Sequence, residues 1–150
     1  MTLIKSISGI RGTIGGKPGN ALTPIDLVKF TASYCGWLKG NHSSGKRLKV
    51  VLGRDARISG KMVSNVVEGT LMACGVDVIA LGLATTPTVE MAVTGCQADG
   101  GIILTASHNP KQWNALKLLN HNGEFLSAED GAQILAMADA DGYSFAEVDG

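Results

Sequence analysis

Leu48-Lys49-Val50-Val51-Leu52-Gly53-Arg54-Asp55-Ala56-Arg57-Ile58-Ser59-Gly60 reads as an apolar strand that runs into a polar, glycine-bounded loop. Beyond it, Val63, Val66 or Val67, Thr70 and Leu71 recur at helical spacing, which predicts a helix from about Gly60 to Cys74. Gly75 is placed to end that helix, because glycine accepts the left-handed conformation found just past a helix. Val76 to Leu81 then forms a second apolar, β-branched strand. Further on, Pro87, Val89 and Val93 mark a short helix, and Gly101-Ile102-Ile103-Leu104 a third strand. The alternation of strand and helix, with apolar strands that need cover on both faces, predicts an α/β fold with a largely parallel sheet.

Outward from this centre the reading is less regular. Ile4 to Ser8 predicts a short strand, broken by the glycine-rich run Gly9–Gly19. Thr23-Pro24 opens a helix, with threonine as cap, proline at the first position and Asp26 in the first turn. Ile25, Val28 and Ala32 mark one face of that helix, which runs to about Lys39. The segment Gly40–Gly45 reads as an exposed loop. Leu116–Leu119 and Glu124–Leu126 predict two strands joined by a turn at Asn122-Gly123, and Ser127 caps a last helix.

Composition narrows the function classes. The chain has 150 residues, 13 Lys+Arg against 13 Asp+Glu, and 45% apolar residues. That length suits a single domain over 1–150 with a core of its own. Zero net charge and no basic run argue against nucleic acid as a partner. No apolar stretch is long enough to span a membrane, and the N-terminal residues lack the apolar centre of a signal peptide. Cys35, Cys74 and Cys96 form no C-x-x-C pair, so they read as small hydrophobes in a reducing, cytoplasmic setting. The 20 glycines exceed the usual share, and Gly9, Gly12, Gly15, Gly16 and Gly19 fall together. Such bunching points to loops that turn sharply or approach a ligand.

The strongest chemical signal is Thr105-Ala106-Ser107-His108-Asn109-Pro110, directly after the third strand. In α/β sheets ligands bind beyond the carboxyl ends of the strands, where this loop and Gly53–Gly60 both lie. Pro110 stiffens the turn, and Lys111 and Lys117 add positive charge, which suits a serine that carries or meets a phosphoryl group. A Ser-His nucleophile pair fits poorly, because neighbours on an extended strand point to opposite sides and no G-x-S-x-G elbow is present. A plain capped turn, with Ser and Asn satisfying local backbone groups, remains open from spacing alone.

The segment Thr105–Pro110 resembles the phosphoserine loop of the α-D-phosphohexomutases, the family of phosphoglucomutases, phosphomannomutases and phosphoglucosamine mutases. Ser8–Gly12, SGIRG, resembles the family's N-terminal arginine loop. Gly53–Arg57, GRDAR, resembles its G-R-D-x-R segment, and Thr85–Thr88, TTPT, its T-P-T turn. The resemblance implies a three-layer α/β/α fold with a mixed, largely parallel sheet, the first of the family's four domains.

Several roles follow from the resemblance. Ser107 would be the phosphorylated serine, whose phosphate is also a ligand of Mg²⁺. His108 and Lys117 would line the active site, and Arg11 would contact phosphate. The substrate would be a hexose phosphate, interconverted between 1- and 6-phosphate through a bisphosphate, with a hexose bisphosphate as activator. Arg54, Asp55 and Arg57 read as a salt-bridge network supporting the loops. Trp113 reads as a loop anchor, and His42 and His121 as exposed loop histidines. Ala115 stands where relatives often carry glycine, which implies an altered turn before Lys117. The family's metal loop D-G-D-x-D-R, its sugar-recognition loop and its C-terminal phosphate-binding domain find no counterpart in these residues. The expectation is therefore that the chain alone does not turn over, and that its inter-domain face favours self-association. The competing reading is a non-catalytic phosphate- or nucleotide-binding α/β module, which the absence of P-loop and G-x-G-x-x-G patterns weakens.

Overall fold

A computed structural model describes residues 1–6, 9–42 and 45–148. Ser8 of the arginine-loop segment and residues 43 and 44 of the Gly40–Gly45 loop lie outside the described residues. Six strands, β1 (Ile4–Ser6), β2 (Gly9–Thr13), β3 (Lys49–Arg54), β4 (Asp77–Leu83), β5 (Gly100–Leu104) and β6 (Trp113–Leu119), form one sheet. Four helices accompany it: α1 (Pro24–Gly40), α2 (Gly60–Ala73), α3 (Thr86–Gly95) and α4 (Ala128–Asp139). The strand order is β1-β2-β6-β5-β3-β4.

Strand alternation divides the apolar residues between two layers. Val50, Leu52, Ile102, Leu104, Leu116 and Leu118 face the larger core, which they share with residues of α1, α2 and α4. Val51, Ile103 and Leu119 face the opposite way and pack with Val89 and Val93 of α3. The result is a three-layer α/β/α sandwich, with α1 packed between α2 and α4.

The sheet is mixed, but its parallel share is smaller than the apolar strands suggested. β3 pairs in parallel with β4 and β5, whereas the β1–β2, β2–β6 and β5–β6 pairings are antiparallel. Two further expectations are corrected. Gly9–Thr13 does not break the first strand; it is itself strand β2. A Cβ on Gly9 would strike the Leu116 carbonyl, so this glycine serves the close approach of β2 to β6. The turning is done by Gly15, Gly16 and Gly19, all at positive φ. Glu124–Leu126 is not a strand either: only Phe125 bridges back to Leu119. β4 lies at the sheet edge, and Leu83 is 64% exposed, so it is covered less than its composition implied.

Local chemistry accounts for the helix ends. Thr23 and Asp26 form a reciprocal capping box at α1, and Asp26 Oδ1 also accepts the Gly19 N–H at 3.0 Å. The helix therefore anchors the glycine run that precedes it. Of the α1 face marked by Ile25, Val28 and Ala32, Ala32 is buried in the core and Val28 half-buried, but Ile25 is corrected: it is 62% exposed, and the buried side is set by Leu27, Phe30, Tyr34 and Leu38. In α2 the ambiguity at Val66/Val67 resolves to Val67, which is buried with Val63, Thr70 and Leu71. No helix among the described residues is long and apolar enough to cross a membrane.

Candidate active site

The candidate site lies where the sheet face lined by α3 runs out of helix. Lys117 pairs with Ile103 of β5 and with Gly9 of β2. Paired residues project to the same face, and Ile103 packs on the α3 side, so Lys117 emerges there as well. Arg11 pairs with Ala115, two residues before Lys117, and so shares that face. α3 packs on β3 and β5, leaving the β2–β6 end of the face open.

Into this opening comes the loop after β5. The strand ends at Leu104, and Thr105 turns its hydroxyl onto Asp55 Oδ2 at 2.7 Å. The same hydroxyl accepts the Ser107 N–H at 3.2 Å. Ser107 has φ 50°, in the left-handed region. That conformation costs an L-residue about 1–2 kcal/mol, so the surroundings must hold it in place. Its Oγ accepts a hydrogen bond from Lys117 Nζ at 2.9 Å. The cleft over the loop has a volume of about 270 Å³ and is lined by Arg11, Ser107, His108, Asn109, Ala115 and Lys117, among others.

The floor of the loop is built by the segment after β3. Asp55 Oδ1 accepts the Arg57 N–H at 3.2 Å, and its Oδ2 lies 3.3 Å from Arg57 Nε. The guanidinium then donates to four carbonyls of the serine loop. Nη1 reaches Pro110 O at 2.7 Å and Trp113 O at 3.0 Å; Nη2 reaches Ser107 O and Asn109 O, each at 2.9 Å. Asp55 and Arg57 therefore support the loop, as read from sequence. The target of Arg57 was not legible there, because its partners lie some 50 positions away and are backbone atoms. Asn114 was missed altogether. It is fully buried, donates from Nδ2 to Ser59 Oγ at 3.0 Å, and so ties β6 to the start of α2.

Four residues singled out for chemistry, Arg11, Ser107, His108 and Lys117, thus line one cleft. The reason given against a Ser-His pair does not hold locally, since Ser107 sits in a left-handed turn rather than on an extended strand. Even so, no hydrogen bond joins the His108 ring to Ser107 among the described residues. Ala115 makes no turn: it is a buried β6 residue paired with Arg11, where a Cβ is acceptable. His121 lies in the exposed turn expected of it. His42 does not, for its Nδ1 meets Leu38 O at 2.7 Å and its Nε2 lies 3.3 Å from Asp99 Oδ1.

The residues present do not fit the Mg²⁺ that the resemblance implies. Among the described residues no group of three or more His, Cys, Asp or Glu is arranged to hold a metal. Asp55, the carboxylate closest in the hydrogen-bond network to Ser107, already has both oxygens engaged by Thr105 and Arg57. The described residues of this chain therefore do not by themselves compose a magnesium site.

A fold of this class, with a serine on the loop beyond a central strand and two cations beside it, has matches among known proteins. A family model described as phosphoglucomutase/phosphomannomutase, alpha/beta/alpha domain I, matches residues 3–144. A Methanosphaera stadtmanae protein with a phosphoglucosamine mutase designation is 42% identical over 125 residues, covering 80% of this chain and 26% of its own length. A phosphoglucomutase/phosphomannomutase of Thermococcus kodakarensis is 39% identical over 120 residues, covering 79% of this chain and 26% of its own length. A crystal structure from Thermus thermophilus, with a phosphomannomutase designation, has a TM-score of 0.80 at 28% identity, covering 92% of this chain and 30% of that one. The chain belongs to the phosphoglucomutase/phosphomannomutase family and carries its α/β/α domain I. It spans about a quarter of the length of the curated relatives it matches.

Proposed function

We propose that this chain is the phosphoryl-carrying part of a hexose-phosphate mutase, with Ser107 as the carrier. The observation that carries the reading is the hydrogen bond from Lys117 Nζ to Ser107 Oγ, inside a cleft that also holds Arg11. In the first half-reaction the bond between phosphorus and a sugar oxygen of a hexose bisphosphate breaks. A new bond forms from phosphorus to Ser107 Oγ, and the serine proton passes to the departing sugar oxygen. Phosphoserine then gives its group to the free hydroxyl of the isomeric hexose monophosphate, which restores the serine and the bisphosphate, so that one isomer has been consumed and the other released.

Phosphoryl transfer depends mainly on in-line positioning and on neutralising charge on the moving group. Lys117 supplies a cation at the accepting oxygen, and Arg11 one at the wall of the same cleft. A phosphoserine carries roughly −1.5 to −2 charge at pH 7, which both cations would stabilise. His108, exposed at the mouth, is the proposed proton-transfer group for the sugar hydroxyl.

Intact-mass measurement with fragmentation tests this reading. After incubation of the protein with a hexose 1,6-bisphosphate, one phosphoryl group is expected on Ser107, and none in Ser107→Ala. The 150-residue chain by itself is expected to stop at a single, slow uptake and to show no multiple-turnover interconversion of hexose 1- and 6-phosphates, since among the described residues its cleft holds no group of carboxylates arranged for Mg²⁺. A chain that binds hexose phosphate yet never gains a phosphoryl group would instead be a non-catalytic phosphate-binding module.

A further inference from the structure

We propose that Arg57 is the positioning residue of the serine loop: held by Asp55, its guanidinium draws four loop carbonyls to one side and fixes Ser107 in the conformation that presents Oγ to Lys117. The proposal rests on the phosphoryl-carrier reading of Ser107 and adds the residue that shapes the carrier.

The first argument is stoichiometric. A guanidinium has five N–H donors in a rigid planar fork. Here Nε faces Asp55, Nη1 serves Pro110 O and Trp113 O, and Nη2 serves Ser107 O and Asn109 O. All five donors are matched, and the Arg57 side chain is only 12% exposed. The four carbonyls span the loop from Ser107 to the first residue of β6, so one side chain sets both of its ends.

The second argument concerns the backbone. The loop from Thr105 to Gln112 contains no glycine, so its left-handed residue has no conformational freedom to draw on. Within the loop the Asn109 N–H closes a turn onto Ala106 O at 3.0 Å and Thr105 Oγ accepts the Ser107 N–H; from outside it, Arg57 binds the Ser107 carbonyl and the carbonyls that follow. No cis peptide is present among the described residues. In a trans peptide the N–H opposes the C=O, so drawing Ser107 O toward Arg57 directs the His108 N–H away from the guanidinium. That N–H has no partner among the described residues. A phosphate on the neighbouring Ser107 is an acceptor of the kind such a donor suits. Arg57 would thus act on the reaction through the loop, without touching substrate.

The test compares wild type with Arg57→Ala, Arg57→Lys and Asp55→Asn in the whole 150-residue chain. The first readout is ¹⁵N relaxation and chemical shift for residues 105–113, with no ligand added. In Arg57→Ala the order parameters at Ser107–Asn109 are expected to fall from about 0.85 to below about 0.6, while the rest of the spectrum is retained. The second readout is the rate of phosphoryl uptake by Ser107 from a hexose 1,6-bisphosphate at saturating donor. A fall on the order of 100-fold is expected, with the half-saturating donor concentration little changed. Arg57→Lys keeps the charge but not the fork, and is expected to restore folding without restoring the rate. Asp55→Asn, which loosens the guanidinium, is expected to fall between. If Arg57→Ala does not fold, the other two variants decide.

Unchanged shifts and relaxation in the loop would overturn the proposal. So would full rescue by Arg57→Lys, or a loss expressed only as weaker donor binding. If wild type takes up no phosphoryl group at all, the carrier reading fails, and the relaxation data still decide whether Arg57 orders the loop.

Discussion

Ser107 is held against its own backbone preference. Its φ of 50° is one of only three positive values among described non-glycine residues, and it falls on the residue proposed to accept phosphate. Strain of this kind persists where neighbours over-determine the conformation; here Thr105, Arg57 and Lys117 bind Ser107, and the Asn109 N–H closes the turn around it onto Ala106 O. A direct consequence concerns two variants that both lack the hydroxyl. Ser107→Gly should be more stable than Ser107→Ala by about 1 kcal/mol, because only glycine relieves the left-handed penalty. Urea denaturation of the two variants measures the difference, and equal midpoints would show that the loop relaxes away from the left-handed region in Ser107→Ala. TASHNP marks the loop as a candidate site through its resemblance, with a plain capped turn open from spacing alone, and its backbone state is not legible at all. A left-handed serine has no mark in a sequence, since it is imposed by contacts from elsewhere.

Among the elements, α1 and β5 are matched to each other by one phenol. Tyr34 Oη donates to Leu119 O at 2.6 Å and accepts the Gly101 N–H at 3.0 Å. The space for that hydroxyl exists because Gly100 has no Cβ, which would otherwise collide with it. Burial pushes the Tyr34 phenol far above its ordinary pKa, so it stays a neutral donor and acceptor throughout the working range. Tyr34→Phe leaves a buried carbonyl and a buried amide without this partner, and should cost about 1–3 kcal/mol. Gly100→Ala should cost a similar amount through overpacking against the phenol. Thermal or urea unfolding tests both, and a neutral result for either would mean that β5 and α1 can shift apart. Sequence periodicity located α1 and caught Ala32, but it misplaced Ile25 and passed over Leu27, Phe30 and Tyr34, because the helix is covered by α2 and α4 as well as the sheet. A helix with three packed neighbours does not display a clean apolar stripe.

At the scale of the molecule, the two ends of the sheet differ in purpose. Strand carboxyl ends carry the serine loop, while the opposite end is closed by a buried charge. Asp99, just before β5, is 4% exposed and lies 2.5 Å from Lys46 Nζ. It also accepts the Lys49 N–H at 2.9 Å and faces His42. Burial opposes ionisation of Asp99, but Lys46, the Lys49 amide and His42 outweigh it and hold the carboxyl below its ordinary pKa. A depressed carboxyl contributes stability that is present above the unfolded value, about 3.9, and is lost as pH falls through the folded one. Wild type should therefore lose stability on acidification below about pH 4, and Asp99→Asn should show a shallower dependence there. Urea midpoints from neutral pH down to about pH 2.5 check this, and identical slopes would remove Asp99 from the acid transition.

The layered α/β class, the positions of its helices and the identity of the serine loop were written locally in the chain. Apolar periodicity, caps such as Thr23-Pro24 and Ser127, and short loop segments are properties of neighbouring residues, and neighbours are what a sequence lists in order. Pairing partners were not written that way. The pairing of β2 with β6, the parallel pairing of β3 with β5 and the hold of Arg57 on the serine loop join residues far apart in the chain, and even the ten-residue reach of Lys117 to Ser107 depends on how β6 returns beside β5. Their energies depend on which strand lies beside which, so they came into view only once the sheet had set Arg11, Lys117 and Ser107 side by side.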